Sequence, residues 1–383
     1  MRRLIRPLIL SMSVLGISAV TLSAQTTDLT LSLKPKGNGA VFVMTNDAQK
    51  NEVIAYDRAA NGYLTEAGRY DTQGRGSGGV TDPLEAQGSL TLSQDHSVLF
   101  AANAGSGNIS VFSVRKSNLT FVSKTASGGS QPVAVAQSGS MVYVLNAGGA
   151  GSVVGFRLDL GAQLKPIRNS TAFLTANVTG GASIAFSPDG RFLLVTERLA
   201  NNVDAFSVKP DGTLAPIVVN SNPVAGTFSI NFAPNGQAIL SATGAADVSN
   251  GSTISSFSVT GNGQLTPISL AVPTLGNANC WNAITPDGRY VYVSNSSSDS
   301  ISGFAIGKDG SLTPLGSTVV GNNPGGSTNL DIAVSADARF IYTLNSATGN
   351  IGMFRIEDNG TLTNLGQAGD LPKSVGFNGI AAI

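Results

Sequence analysis

Three observations predict an all-β chain folded as a seven-bladed β-propeller with four antiparallel strands per blade. One phrase recurs along the 383 residues with a period of about 50, within the range of propellers and solenoids. Each copy pairs apolar strands around tight turns, and after the N-terminal segment no stretch shows helical spacing of apolar residues. Each copy also has a strand ending in one aromatic, at Tyr56, Phe112, Phe156, Phe206, Phe257, Phe304 and Phe354, so seven markers give seven units.

The chain opens with MRRLIRPLILSMSVLGISAVTLSAQ, which sets Arg2, Arg3 and Arg6 before an apolar run from Leu8 to Leu22 and small residues at Ser23 and Ala24. This is the pattern of a secretory signal. The run includes Ser11, Ser13, Gly16 and Ser18 and falls short of the roughly 20 apolar residues of a membrane span, so no permanent anchor is expected. The reading is a signal peptide over residues 1–24, a lead-in over 25–39 and the propeller over 40–383, placed in the periplasm or outside the cell. The first unit begins only at its second strand, AVFVMTN, while the C-terminal NGIAAI resembles an innermost strand. The two ends therefore complete one blade, a non-covalent clasp that suits a chain whose single cysteine, Cys280, permits no internal disulfide.

The fourth unit shows the local rules most clearly. ASIAFS and FLLVTE flank Pro188-Asp189-Gly190, and VDAFSV and LAPIVV flank Pro210-Asp211-Gly212, which reads as two hairpins. TPDGRYVYVSN with GKDGSLTPL, and SADARFIYTLN with EDNGTLTNL, repeat the scheme in units six and seven. These turns define a regular bottom rim. The loops after each second strand and the links between blades lie on the top, where a rigid scaffold would carry function. His96, the only histidine, sits in a bottom turn and is not expected to be catalytic.

On the top, Glu197 and Arg198 end the second strand of unit four, where the other units place Asn46, Asn103, Asn146, Thr243, Asn295 and Asn345. The plain reading of those asparagines is loop capping and left-handed backbone. The alternative is a polar ring that includes Asn103 and Asn146 as ligand contacts around a charged pair. The first link, DTQGRGSGGVTDPLEAQGS, is long enough for a lid and carries Arg75, Asp82, Glu85 and Gln87. NANCWNAITPDG brings Trp281 and Asn282 to the channel, Trp281 as core packing or as a ligand platform. Asp331 enters at the matching point of unit seven, and Cys280 is expected to be a small buried filler.

Composition excludes one class of partner. Acids and bases cancel at 23 each and charged residues make up 12% of the chain, leaving no basic stripe for nucleic acid. A Cys/His metal site is excluded by count. No cofactor is expected, with calcium as the one cation that Glu197, Asp331 and ring asparagine oxygens would suit. A monomer is expected.

SPDGRFLLVTERLANNVDAFSVKPDGTLAPI, CWNAITPDGRYVYVSN, GSLTLSQD and QPVAVAQSGSMVYVLNAGGAGSVVGFRL resemble the seven-bladed propeller lactonase family, which includes 6-phosphogluconolactonases and fungal-type 3-carboxymuconate cyclases. The resemblance runs from Ala40 to the C-terminus. It implies hydrolysis or formation of a lactone of a sugar acid or carboxylated small molecule, with a histidine at the entry to a mid-ring blade, a glutamate at the end of that blade's second strand, and arginines holding an acidic substrate. Here Ser183 occupies the histidine position, and the glutamate position falls at Glu197 or, one residue on, Arg198. Glu197 would activate water, while Arg198 or Arg75 would hold a carboxylate or the developing oxyanion. The competing reading is a non-catalytic secreted propeller that binds a carbohydrate, a cell-envelope component or a protein.

Overall fold

Seven four-stranded antiparallel sheets follow one another around a ring in a computed structural model that describes residues 39–175 and 180–383. The expected signal peptide and nearly all of the lead-in lie outside the described residues. From the channel outward, blade 2 consists of Leu90–Leu92, Val98–Asn103, Asn108–Arg115 and Asn118–Ala126. Blade 4 consists of Gly181–Phe186, Phe192–Glu197, Asn202–Ser207 and Val218–Ser221, and the innermost strands of blades 3, 5, 6 and 7 are Pro132–Ser138, Thr227–Phe232, Asn279–Ile284 and Asn329–Val334. Blade 3 adds a short strand, Ala172–Phe173, that pairs with its third strand beside Leu164–Pro166. The helical residues among those described are a 3-10 turn, Ser296–Ser298.

Burial follows position in the blade. The second strands VLFAAN, FLLVTE and FIYTLN are buried at every residue, because a neighbouring blade covers each face. The outermost strand Leu362–Ala368 contains no fully buried residue. All seven marker aromatics, Tyr56 to Phe354, are buried. Inner strands carry β-bulges, between Pro132 and Ala134, Gly181 and Ser183, Thr227 and Ile230, Asn279 and Trp281, and Leu330 and Ile332. A bulge bends the strand and re-aims the extra residue, which here lies at the channel entry.

The bottom turns repeat one hydrogen-bond scheme. Ser187 Oγ donates to Asp189 Oδ1 at 2.6 Å and Gly190 N donates to Ser187 O at 2.8 Å. Ser93 with Asp95, Thr285 with Asp287, and Ser335 with Asp337 do the same. His96 stands where Gly190 does and takes the same left-handed backbone, with φ of 58°.

Ring closure joins the two ends of the chain. Gly39–Met44 pairs with Glu52–Arg58 on one side and Ile380–Ala382 on the other, in the register Val41↔Ala382, Phe42↔Ala381 and Val43↔Ile380. Arg58, only 2% exposed, donates from Nε to Ile383 O and from Nη2 to Asp337 Oδ2 at 3.0 Å, and lies over the Phe340 ring.

Candidate active site

The first link, residues 72–89, does more than cover the channel. It crosses the top face and descends between the inner strands, so that it plugs the ring. Its glycines allow a close approach: a Cβ on Gly76 would sit 2.1 Å from the Asn46 carbonyl, and one on Gly74 would meet the Asn103 side chain at 2.3 Å. Gly76 N bonds Asp47 O, and Gly105 N bonds Arg75 O. Further in, Gln87 N donates to Ala182 O at 2.8 Å, Val135 N to Gly88 O at 3.0 Å, and Trp281 Nε1 to Ala86 O at 3.1 Å. Blades 3, 4 and 6 thus hold the backbone of one short segment.

Gln87 is the innermost group of this plug. Its Nε2 donates to Asn282 O at 2.8 Å and to Asp331 Oδ1 at 3.4 Å, while its Oε1 accepts from Asn231 Nδ2 and Asn282 N. One amide therefore ties blades 5, 6 and 7 together. Asn282, 1% exposed, also donates to Ser229 and Ser241. Asp331 is the bulge residue of its strand and holds φ of 48°. Its carboxylate accepts from Ile332 N and Ile380 N, and burial pushes it up to about 7 against those two bonds.

The charged centre lies above Gln87. Arg198 reaches from blade 4 to form an ion pair with Glu85 of the plug, and its Nε has no partner among the described residues. Asp82 Oδ1 accepts from Glu85 N and from Asn378 Nδ2, each at 3.0 Å. Part of the Asp82 residue still reaches solvent, but its carboxyl is crowded. Desolvation first, then the Glu85 charge, raise it to about 7, while Arg198 acts in the opposite sense. Cys280, under the influence of the same groups, is buried and its thiol is pushed well up, so it remains a protonated filler. On the same face a hollow of about 520 Å³ is walled by the loop Thr243–Ser249 with Asn277, Ala278 and Ser297, adjoining the Cys280 strand.

The expected site residues divide into three sets. Gln87, Trp281, Asn282 and Asp331 meet around the plug, and Arg198 meets it through Glu85. Trp281 has no exposed surface and packs edge-on to Phe228 at 5.3 Å, so its indole anchors the link. Arg75 lies on the exposed rim, where its backbone contacts Gly105 and Ser106.

Asn103 and Asn146 form the second set, buried inside the blades. Asn103 spends all its hydrogen-bonding capacity on Asn51, Thr72, Asn108 and Ser110, and Asn146 donates to Ser127 O of the preceding link. Of the asparagines at this position, Asn46 alone has left-handed backbone; the others act through their side chains.

Glu197 belongs to neither set. Its side chain has no exposed surface, accepts from Thr175 N at 2.7 Å and from the Thr175 hydroxyl, and faces Asp204 within the blade. Ser183, 2% exposed, bonds the Ile230 backbone in the next blade. Glu197 and Asp331 share no bonding partner, and among the described residues no three His, Cys, Asp or Glu groups are placed to hold one metal ion. Asp82 and Glu85 were visible in the link, but their proximity to Arg198 was not, because it depends on the descent of the plug. Asp204 and Asn378 had no sequence signal.

The family model described as lactonase, seven-bladed β-propeller, matches residues 33–160, 150–280 and 229–329. No curated protein sequence matches significantly. Among solved structures, a Bacteroides uniformis protein provisionally assigned as a 6-phosphogluconolactonase is 18% identical, with a TM-score of 0.69 over 90% of this chain and 99% of its own. The periplasmic gluconolactonase of Pseudomonas aeruginosa is 17% identical, with a TM-score of 0.64 over 90% of this chain and 99% of its own. A Desulfotomaculum acetoxidans protein of unknown function is 14% identical, with a TM-score of 0.66 over 89% and 99%. At these identities the solved structures speak for the fold. The overlapping matches of the family model span most of the sequence, and the chain belongs to the lactonase family of seven-bladed β-propellers.

Proposed function

We propose that the protein hydrolyses a lactone at the top centre of the ring, with Asp82 as general base and Arg198 as the cationic group. The observation that supports this reading is the crowded Asp82 carboxyl, raised to about 7, in the field of an arginine. A base with that proton affinity is half ionised at neutral pH, where general base catalysis is most effective. Ionised Asp82 takes a proton from water as its oxygen attacks the lactone carbonyl. Arg198 then stabilises the tetrahedral oxyanion, the ring C–O bond breaks, and the leaving oxygen takes up the proton, giving a hydroxy acid. Glu197, bonded to Thr175 inside the blade, does not carry the proton in this reading.

The substrate class is a sugar-acid lactone or a carboxylated lactone, in keeping with the family. The N-terminal segment, together with the neighbour described as periplasmic, supports work outside the cytoplasm. One observation favours the second reading, a binding propeller: Ser183 and Glu197, at the positions where the resemblance implies the catalytic pair, are buried and bonded internally.

The test is hydrolysis of a panel of glucono-, phosphoglucono- and carboxymuconolactones by the purified chain. Wild type should show a kcat/KM that rises with pH and levels off above about pH 7. Asp82→Asn should lose on the order of 100-fold or more in kcat while keeping its circular dichroism spectrum. No turnover anywhere on the panel, or full activity in Asp82→Asn, would move the balance to the binding propeller.

A further inference from the structure

Below the plug lies a second cavity of about 320 Å³, bounded by the inner strands of blades 2 to 5. Its polar lining differs in kind from the top. Gln87, Thr91, Gln94, Gln137, Ser183 and Asn231 supply amides and hydroxyls, and among the described residues no Lys, Arg, Asp or Glu lines it. Two of its walls are the half-buried rings of Phe186 and Phe232. Phe232 and Pro188 also wall an adjoining cleft of about 290 Å³ that leads outward between blades 4 and 5, so the two hollows share a boundary at one aromatic ring.

We propose that this lower chamber binds an uncharged saccharide through its amide lining and the Phe232 ring. A charged ligand would lose its hydration with no lining charge to compensate, and an apolar one would leave the amides unpaired. A polyhydroxylated ligand meets both conditions. Amide groups offer a donor and an acceptor side by side, and an aromatic face packs against the C–H face of a sugar ring. Capacity is free for this: among the described residues Asn231 Oδ1 has no partner while its Nδ2 is engaged by Gln87 and Asn282, and Gln94 accepts from Gly139 N with its Nε2 uncommitted. The outward cleft gives room for a second sugar unit past Phe232.

This site is independent of lactone turnover, because the plug separates it from Asp82 and Arg198. The experiment is calorimetric titration of the full chain with glucose, maltose, cellobiose and chitobiose, and with gluconate and glucuronate as charged counterparts. A neutral saccharide should bind saturably and the charged counterparts should not. Gln94→Ala, an exposed position that leaves the fold intact, should weaken binding about tenfold, and Phe232→Ala should abolish it, with lactone turnover unchanged in the Gln94 variant. The proposal is overturned if no neutral saccharide binds at millimolar concentration, if gluconate or glucuronate binds as well as the neutral sugars, or if both variants bind like wild type.

Discussion

Asn103 in blade 2 and Asn295 in blade 6 each donate at 2.8 Å to a serine seven residues on, Ser110 and Ser302, whose hydroxyl in turn bonds a carbonyl of the preceding link. Blade 4 keeps the spacing and changes both partners to acids, Glu197 and Asp204. Glu197 already accepts two bonds from Thr175, whereas both oxygens of Asp204 are buried without a partner among the described residues. A proton on Asp204 gives the pair the donor that asparagine supplies elsewhere. Burial first, then hydrogen bonding with Glu197 and its charge, raise the Asp204 carboxyl to about 9. Folding therefore binds a proton that the unfolded chain releases once pH passes the ordinary aspartate range near 3.8, so stability falls as pH rises from there to about 9. Asp82 and Asp331, raised to about 7, contribute the same sign over the lower part of that window, which leaves its upper part to Asp204. The slope there approaches about 1.4 kcal/mol per pH unit for one proton. Asp204→Asn should flatten it, as urea denaturation at several pH values will show. An unchanged slope in the variant would mean that the pair holds no shared proton. Glu197 was legible in the sequence as the exception to the asparagine pattern. Asp204 was not, because an acid within VDAFSV reads as the solvent face of an alternating strand, and only the neighbouring blade makes both faces internal.

The first link is the element on which the site depends, and its strength comes from contacts far apart in sequence. Its length suggested a lid. Penetration of the channel was not legible, since bonds such as Trp281 Nε1 to Ala86 O join residues 195 positions apart. The only tryptophan in the chain is therefore a built-in reporter of the plug. Gly76→Ala would drive a methyl group to 2.1 Å from the Asn46 main chain, which cannot swing aside as a flexible side chain would. The expected result is a displaced link, a stability loss of about 1–3 kcal/mol, red-shifted Trp281 emission and stronger acrylamide quenching. Arg75→Ala, on the exposed rim of the same link, should change stability by no more than about 0.5 kcal/mol. If Gly76→Ala left emission and quenching at wild-type values, the close approach at Asn46 would not be what seats the plug. Emission that shifted equally in Arg75→Ala would show that the reporter responds to any change in the link.

At the scale of the whole molecule, the ring stands or falls on its one non-covalent seam. The sequence pattern showed which ends meet, because AVFVMTN lacks an inner partner and NGIAAI lacks an outer one. It did not show what fastens them, because Arg58 lies one strand away from the C-terminal strand and reaches Ile383 and a turn of blade 7 only through its side chain. Three paired residues hold the last strand, and Arg58 adds a bond to Ile383 O, an ion pair to Asp337 and a stacked contact with Phe340. The two ends of that ion pair are not equivalent: the Arg58 side chain is 3% exposed and that of Asp337 is 37% exposed. Solvent screens the Asp337 side, so the pair alone is worth less than a fully buried one, and most of the value of Arg58 is its bond to the last strand and its packing. Arg58→Leu should therefore cost about 2–3 kcal/mol, and Asp337→Asn less than half of that. Removal of residues 380–383 should cost more than either and expose the apolar edge of Gly39–Met44, which would appear as dye binding or aggregation before global unfolding. Equal losses for Arg58→Leu and Asp337→Asn would reduce the role of Arg58 to the ion pair. A truncated chain as stable as wild type would show that packing between blades, with no strand across the seam, is enough to keep the ring closed.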